Sequence, residues 1–272
     1  IAVGSSRNSD TTKLPKVLPA HCGSSRLLRH AVDLPDEDVT VVGGIRVCTR
    51  ERLMFDFARF RPPIEALPTV DRALAQLTKP DKWRPQVNQA QSEAVRHAIL
   101  DRLASLRSTR GVHRAVEVIR FAERFSESAG ESVMRWGLLA HGLPRPVAQH
   151  QIALNEETVY FLDAFLPALG IAFEHDGVGK YNNPDIHRQL MAEKRRDLNI
   201  RRHGVDVHHT MHPDLASFEA FGAALHRSVG SELLARFRPR TLLRSTWSWW
   251  LLDVAPFSNV IYTWCAVPEA EA

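Results

Sequence analysis

"VYFLDAFLPALGIAFEHDG", residues Val159–Gly177, places three carboxylates among two apolar runs. Asp163 lies inside the first run, Val159–Leu166, and Glu174 and Asp176 close the second, which begins at Ile171. Pro167 and Gly170 bracket the connection, the signature of a tight β-hairpin. Side chains alternate along a strand. Glu174 and Asp176 are therefore expected on one face, with Ile171, Phe173 and His175 on the other. A turn at Ala168-Leu169 pairs Leu166 with Ile171 and sets Asp163 opposite Glu174. Like charges across a strand pair are destabilising, and carboxylates in apolar surroundings are costly unless compensated. A hard cation with oxygen ligands, Mg²⁺ or Mn²⁺, is one compensation. A nearby arginine pairing with Asp163 is another, and solvated strand ends would explain Glu174 or Asp176 taken singly.

The flanking segments define an order. Ser128 followed by Glu131 opens a helix through Val133, Met134, Leu138 and Leu139 with a capping-box pattern, and His141–Pro144 ends it. Val147–Leu154 alternates as a strand and turns at Asn155–Glu157 into the Asp163 strand. After Gly177, Pro184 and Gly204 bracket a second helix, and Val205–Thr210 is a short strand. The order is helix, strand, strand, strand, helix, strand.

With its "D…ExD" core, this segment resembles the very-short-patch-repair-like endonuclease branch of the PD-(D/E)XK nuclease superfamily. The resemblance covers about Ser126–Leu215 and rests on "ESAGES" (Glu127–Ser132), "HGLPRPVAQ" (His141–Gln149), "FLDAF" (Phe161–Phe165), "FEHDGVGKY" (Phe173–Tyr181), "AEKRRD" (Ala192–Asp197) and "HPDL" (His212–Leu215). It implies a restriction-endonuclease-like αβββαβ core and metal-dependent hydrolysis of DNA phosphodiesters, in DNA repair or phage defence. Asp163 and Glu174 would bind the metal, with Glu131 either an accessory acid or a capping partner only. Asp176 stands where the superfamily carries Lys, so Lys180 or Lys194 would have to supply the cation. The last strand carries His208, His209 and His212 where an Arg is more usual.

On the second helix Arg188, Arg195 and Arg202 recur every seven residues and form one stripe. Lys194, Arg196 and Arg201 broaden it, and Glu193 and Asp197 partly neutralise it. Such a face is either a solvated, internally paired surface or, beside a metal site, a contact for phosphates.

The first part reads as a hairpin, Val39–Val42 and Ile45–Cys48 around Gly43-Gly44, then a helix with Leu53, Phe55 and Phe57. Helices follow at about 69–78, 86–106 and 112–125. Gly44, Arg46, Val47, Arg52, Asp56, Ala58 and Arg59 resemble the stretch that follows the winged helix of abortive-infection type IV antitoxin-like regulators. The winged helix itself would then lie before residue 1 or be truncated. The expected division is an antitoxin-like part at 1–125, a nuclease-like part at 126–230 and an apolar extension at 231–272. That extension is interrupted by Asp253 and Pro256 and is too broken for a membrane helix.

Composition is compatible with this. The chain of 272 residues is 44% hydrophobic with a formal charge of +4, and its pI near 9.2 suits a nucleic-acid partner. Cys22, Cys48 and Cys265 show no CxxC spacing, which speaks against a disulfide framework or zinc finger and for a reducing compartment. No signal-peptide pattern opens the chain, so a cytoplasmic α/β protein is expected. Its partners would be DNA or, in a non-catalytic regulator on a degenerate nuclease fold, a cognate toxin.

Overall fold

The computed structural model describes residues 2–4, 30–32, 34–106, 111–155, 157–177 and 186–244. Lys180, Cys22, Cys265 and the extension from residue 245 onward lie outside them. The fold is mixed α/β, with helices leading into the main sheet. A short parallel pair, β1 (Ala2–Gly4) and β2 (His30–Val32), precedes the hairpin of β3 (Val39–Val42) and β4 (Ile45–Cys48). The hairpin has the expected bounds and register, Val42 facing Ile45. Four helices follow: α1 (Arg50–Phe60), α2 (Pro63–Thr78), α3 (Gln89–Ala104) and α4 (Val112–Phe121). Thr49 caps α1 by accepting from the Arg52 N–H at 3.2 Å, and Pro63 starts α2 where its missing N–H is not needed.

Next come α5 (Ala129–Ala140), β5 (Val147–Ala153), β6 (Val159–Leu166), β7 (Ile171–Asp176), α6 (Ile186–Arg202), β8 (Asp206–Met211), α7 (Phe218–Leu234) and α8 (Thr241–Arg244). From α5 to β8 this is the expected helix–strand–strand–strand–helix–strand order. The strands form one sheet in chain order, antiparallel except for the parallel β7–β8 pair. The α7 helix, capped by Ser217, is not among the elements expected from the sequence.

The larger core lies on one sheet face. It joins Met54, Leu67, Leu74, Ile119, Trp136 and Phe221 to Ala164, Leu166, Ile171 and Phe173, so the helices before residue 125 and those after it share one interior. A smaller core on the other face gathers Leu162, Ala172 and Val207 with Ile200 of α6 and with Val205. Asp71 of α2 and Arg135 of α5, each 1% exposed, form a buried ion pair inside the larger core.

At the acidic hairpin, Leu166 pairs with Ile171 and Ala164 with Phe173, the expected register. Gly170 takes φ +66° at the turn, a conformation glycine adopts without strain. Beyond Ala164 the regular pleat fails, and the expectation of unbroken alternation is corrected. Ala164 belongs to the larger core and Leu162 to the smaller one, although a regular strand would put both on one face. The alternation slips at Asp163. β5 slips at the same rung: Ala148 pairs with Ala164 and His150 with Leu162. Gln149 between them takes φ +47°, rare for a residue with a side chain.

Candidate metal and nucleic-acid site

The slipped rung brings the acids together. Asp163 Oδ1 accepts from Gln149 Nε2 at 3.1 Å, and its Oδ2 accepts from the His175 N–H at 3.0 Å. A strand-to-strand backbone bond is thus replaced by a carboxylate that remains in the sheet plane. Gln149 Nε2 also reaches Glu131 Oε2 at 3.3 Å, so the strained residue links two acids from different elements. Strain of this kind persists where the surroundings hold it, and it clusters at functional sites.

Glu131 comes down from α5. Its N–H is capped by Ser128 Oγ at 3.1 Å, as the capping pattern predicts. Its carboxylate, however, accepts from the Glu127 N–H at 2.9 Å rather than from the cap residue. The helix start can sit this low because residue 130 is glycine. A Cβ there would lie 2.0 Å from the His175 ring.

Glu174 is on the α6 side of β7, where its Oε1 accepts from Arg196 Nη2 at 3.2 Å. Arg196 was expected to broaden the exposed basic stripe, and this is corrected. The guanidinium turns inward, also donating to the Phe161 carbonyl at 2.7 Å, and lies 5.5 Å over the Tyr160 ring. It sits one position past the exposed Arg195, and one residue turns a helix side chain by about 100°. Arg188, Lys194, Arg195 and Arg202 are exposed, as the stripe requires. Met191 and Leu198, 53% and 55% exposed, lie between the stripe's arginines.

Glu131, Glu174 and Asp176 are each less than 9% exposed. Burial, followed by repulsion from Asp163, pushes Glu131 and Glu174 up to about 7, and burial likewise raises Asp163. Arg196 opposes the rise at Glu174. Glu131 and Glu174 are buried and Asp163 half-buried, Arg196 acts on Asp163 and Glu174, and every donor atom of the three is oxygen. Oxygen donors suit a hard divalent cation such as Mg²⁺ or Mn²⁺, but these three are not drawn within 4.8 Å of one another, as another group at β7 and β8 is.

The raised carboxyls imply a pH dependence. A folded value near 7 against an ordinary 4.5 favours the protonated form in the fold. The stabilisation is therefore present below about 4.5 and lost as pH rises through 7. Glu131 and Glu174 act in the same direction. Metal-free protein is expected to melt lower at pH 8 than at pH 5.5, with millimolar Mg²⁺ closing the gap. A melting temperature flat across that window in EDTA counts against the cluster.

Asp176 lies on the α6 side of β7 with Glu174, as the alternation predicts, and reaches across to β8. Its Oδ2 meets His209 Nδ1 at 2.9 Å, while His209 Nε2 meets Asp197 Oδ2 of α6 at 2.9 Å. The Asp176 hydrogen bond, with help from Asp197 and against burial, raises His209 to about 9. Glu193 completes a group with Asp176 and His209 whose donor atoms lie within 4.8 Å of one another. The role of Arg196, Gln149 and His209 was missed in the sequence. The i,i+4 spacing of Glu193 and Asp197 on the helix facing β8 was the available signal.

In the first part, Arg52 and Asp56 have structural work. Arg52 donates to Asp56 Oδ2 at 2.8 Å and to Asp38 Oδ2 at 2.7 Å, and Arg102 of α3 also pairs with Asp38. The network ties the loop before β3 to α1 and α3. No helix among the described residues is long and apolar enough to cross a membrane.

No family model matches the chain, and no solved structure matches it. Uncharacterized proteins from two strains of Mycobacterium tuberculosis, CDC 1551 / Oshkosh and ATCC 25618 / H37Rv, are each 28% identical to it over 109 residues. The match covers 40% of this chain and 39% of each relative, so the chain spans well under half the length of the proteins it resembles.

Proposed function

We propose that the chain is a metal-dependent endonuclease that hydrolyses DNA phosphodiester bonds on a PD-(D/E)XK-like fold. The observation that carries this is Asp163, held at an irregular rung of the sheet between Glu131, which shares the Gln149 amide with it, and Glu174, which pairs with Arg196. Asp163, Glu174 and Glu131 would hold the ion, which supplies charge to a phosphate oxygen and acidifies a water molecule. Gln149 and the His175 N–H fix the orientation of Asp163. Arg196 holds positive charge at Glu174, the part the resemblance gives to a lysine, which lessens the weight of Asp176 at that position. The exposed stripe of Arg188, Arg195 and Arg202 would contact the DNA backbone.

The test is nicking of supercoiled plasmid by the full chain with Mg²⁺ or Mn²⁺, and with EDTA. EDTA-sensitive nicking that follows the purified protein is expected. Absence of nicking with either ion favours the second reading, a DNA- or toxin-binding regulator on a degenerate nuclease fold. The observation behind that reading is that Asp176, tied to His209, brings no ammonium to the site.

Neutralising the stripe separates its role from that of the acids. Arg188→Gln, Arg195→Gln and Arg202→Gln together should weaken duplex binding across all sequences. Each lost phosphate contact lowers the log–log salt slope by about 0.9, and any sequence preference is retained, because phosphate contacts position without reading bases. Equal slopes for wild type and triple variant would remove this helix from the interface.

A further inference from the structure

We infer that Asp176, His209 and Glu193 form a second cation site, at the β7–β8–α6 junction, that takes a divalent transition ion of the Mn²⁺, Co²⁺ or Zn²⁺ kind. The donors come from three elements and already lie within 4.8 Å of one another. His209 Nδ1 and Asp176 Oδ2 are 2.9 Å apart. Two ligands each about 2.1 Å from one ion are about 3.0 Å apart at an octahedral right angle and about 3.4 Å apart at a tetrahedral angle. An ion can therefore replace the proton these atoms share with little movement of either side chain.

Asp197 supplies the supporting shell. A metal-binding histidine ordinarily donates its other ring N–H to a carboxylate, which fixes its tautomer and orientation. Asp197 Oδ2 holds His209 Nε2 in that way at 2.9 Å, leaving Nδ1 directed at Asp176. The other Asp197 oxygen, Oδ1, is buried and has no hydrogen-bond partner. Water in the coordination shell of an ion would satisfy it. Glu193 and Asp197 are one helical turn apart and so face the same way.

The donor chemistry distinguishes this site from the oxygen-only set at Asp163. An imidazole nitrogen favours transition ions over Mg²⁺. With His209 neutral, Asp176, Glu193 and Asp197 place three negative charges around the position, which a divalent ion largely offsets. The site does not depend on the nuclease reading: it can be filled whether or not Asp163 and Glu174 support cleavage.

Co²⁺ titration of the full chain, followed by visible d–d absorption and calorimetry, tests it. Wild type should show Co²⁺ bands that saturate and persist in excess Mg²⁺. His209→Gln and Asp176→Asn should abolish them, Asp197→Asn should weaken binding by about 10–100-fold, and Asp163→Asn should leave them unchanged. If His209→Gln fails to fold, as judged by circular dichroism, Asp176→Asn and Asp197→Asn decide. Wild type without such bands at millimolar Co²⁺ overturns the site and leaves His209 as an imidazolium clamp between two acids. Bands lost in Asp163→Asn but kept in Asp176→Asn overturn it too, assigning the ion to the oxygen cluster. Wild type that shows the Co²⁺ bands but does not nick plasmid would count against the nuclease reading alone.

Discussion

Asp163→Asn is expected to lower metal-dependent plasmid nicking by roughly 10²–10⁴-fold while leaving the melting temperature equal to wild type or higher. The loss follows from charge. A bound ion contributes several kcal/mol of transition-state stabilisation, and each ~1.4 kcal/mol is tenfold in rate. The fold survives because the change removes a charge and almost no volume. The Asn oxygen can still accept from the His175 N–H, and rotating the Gln149 amide lets its oxygen meet the new NH₂ group. Stability can rise because Asp163 repels both Glu131 and Glu174, which burial already penalises. Calorimetric titration with Mg²⁺ should show weaker binding in parallel. Cleavage at the wild-type rate in this variant would place the activity elsewhere or in a contaminant.

Much of the hairpin was legible because its signals are local. Alternating apolar residues, Pro167 and Gly170 define the strands and their register, and both match the structure. The break in alternation at Asp163 was not legible, since it depends on Gln149 adopting a left-handed backbone and on both strands changing faces at one rung while their register is kept. Arg196 shows the same limit on a helix. Heptad spacing identifies the exposed arginines, but a dense run of "EKRRD" does not reveal which guanidinium turns toward the sheet. That is decided by the acceptors on β6 and β7, the Phe161 carbonyl and Glu174. Asp176 was assigned by its spacing from Glu174, and its true neighbour His209 lies 33 residues away on a strand that pairs in parallel. Contacts of that range depend on topology rather than on pattern.

The largest effect on stability should come from Asp71, far from the acids of the sheet. Asp71→Ala is expected to destabilise the protein by about 3–5 kcal/mol, because it strands Arg135, Ser132 and the Glu123 N–H without their shared acceptor. At roughly 2–4 °C per kcal/mol for large domains, the melting temperature should fall by about 6–20 °C. Alanine also removes the acceptor of the Glu123 N–H, which donates to Asp71 Oδ1 at 2.7 Å. Arg135, 1% exposed and unable to shed its proton, is left without its partner. Arg135→Met should be milder, because the carboxyl it strands has an escape. Burial already pushes Asp71 up to about 6 against the pull of Arg135 and Ser132, and without Arg135 it rises further and takes a proton. A folded value above the ordinary 3.8 means that this stability is present at low pH and lost as pH rises through the folded value. Arg135→Met should therefore approach wild type at pH 5 and fall away by pH 8, whereas Asp71→Ala, with no carboxyl left to titrate, lacks this pH dependence. Asp71→Ala melting within 2 °C of wild type, or Arg135→Met insensitive to pH, would mean that water or another ion relieves the stranded groups.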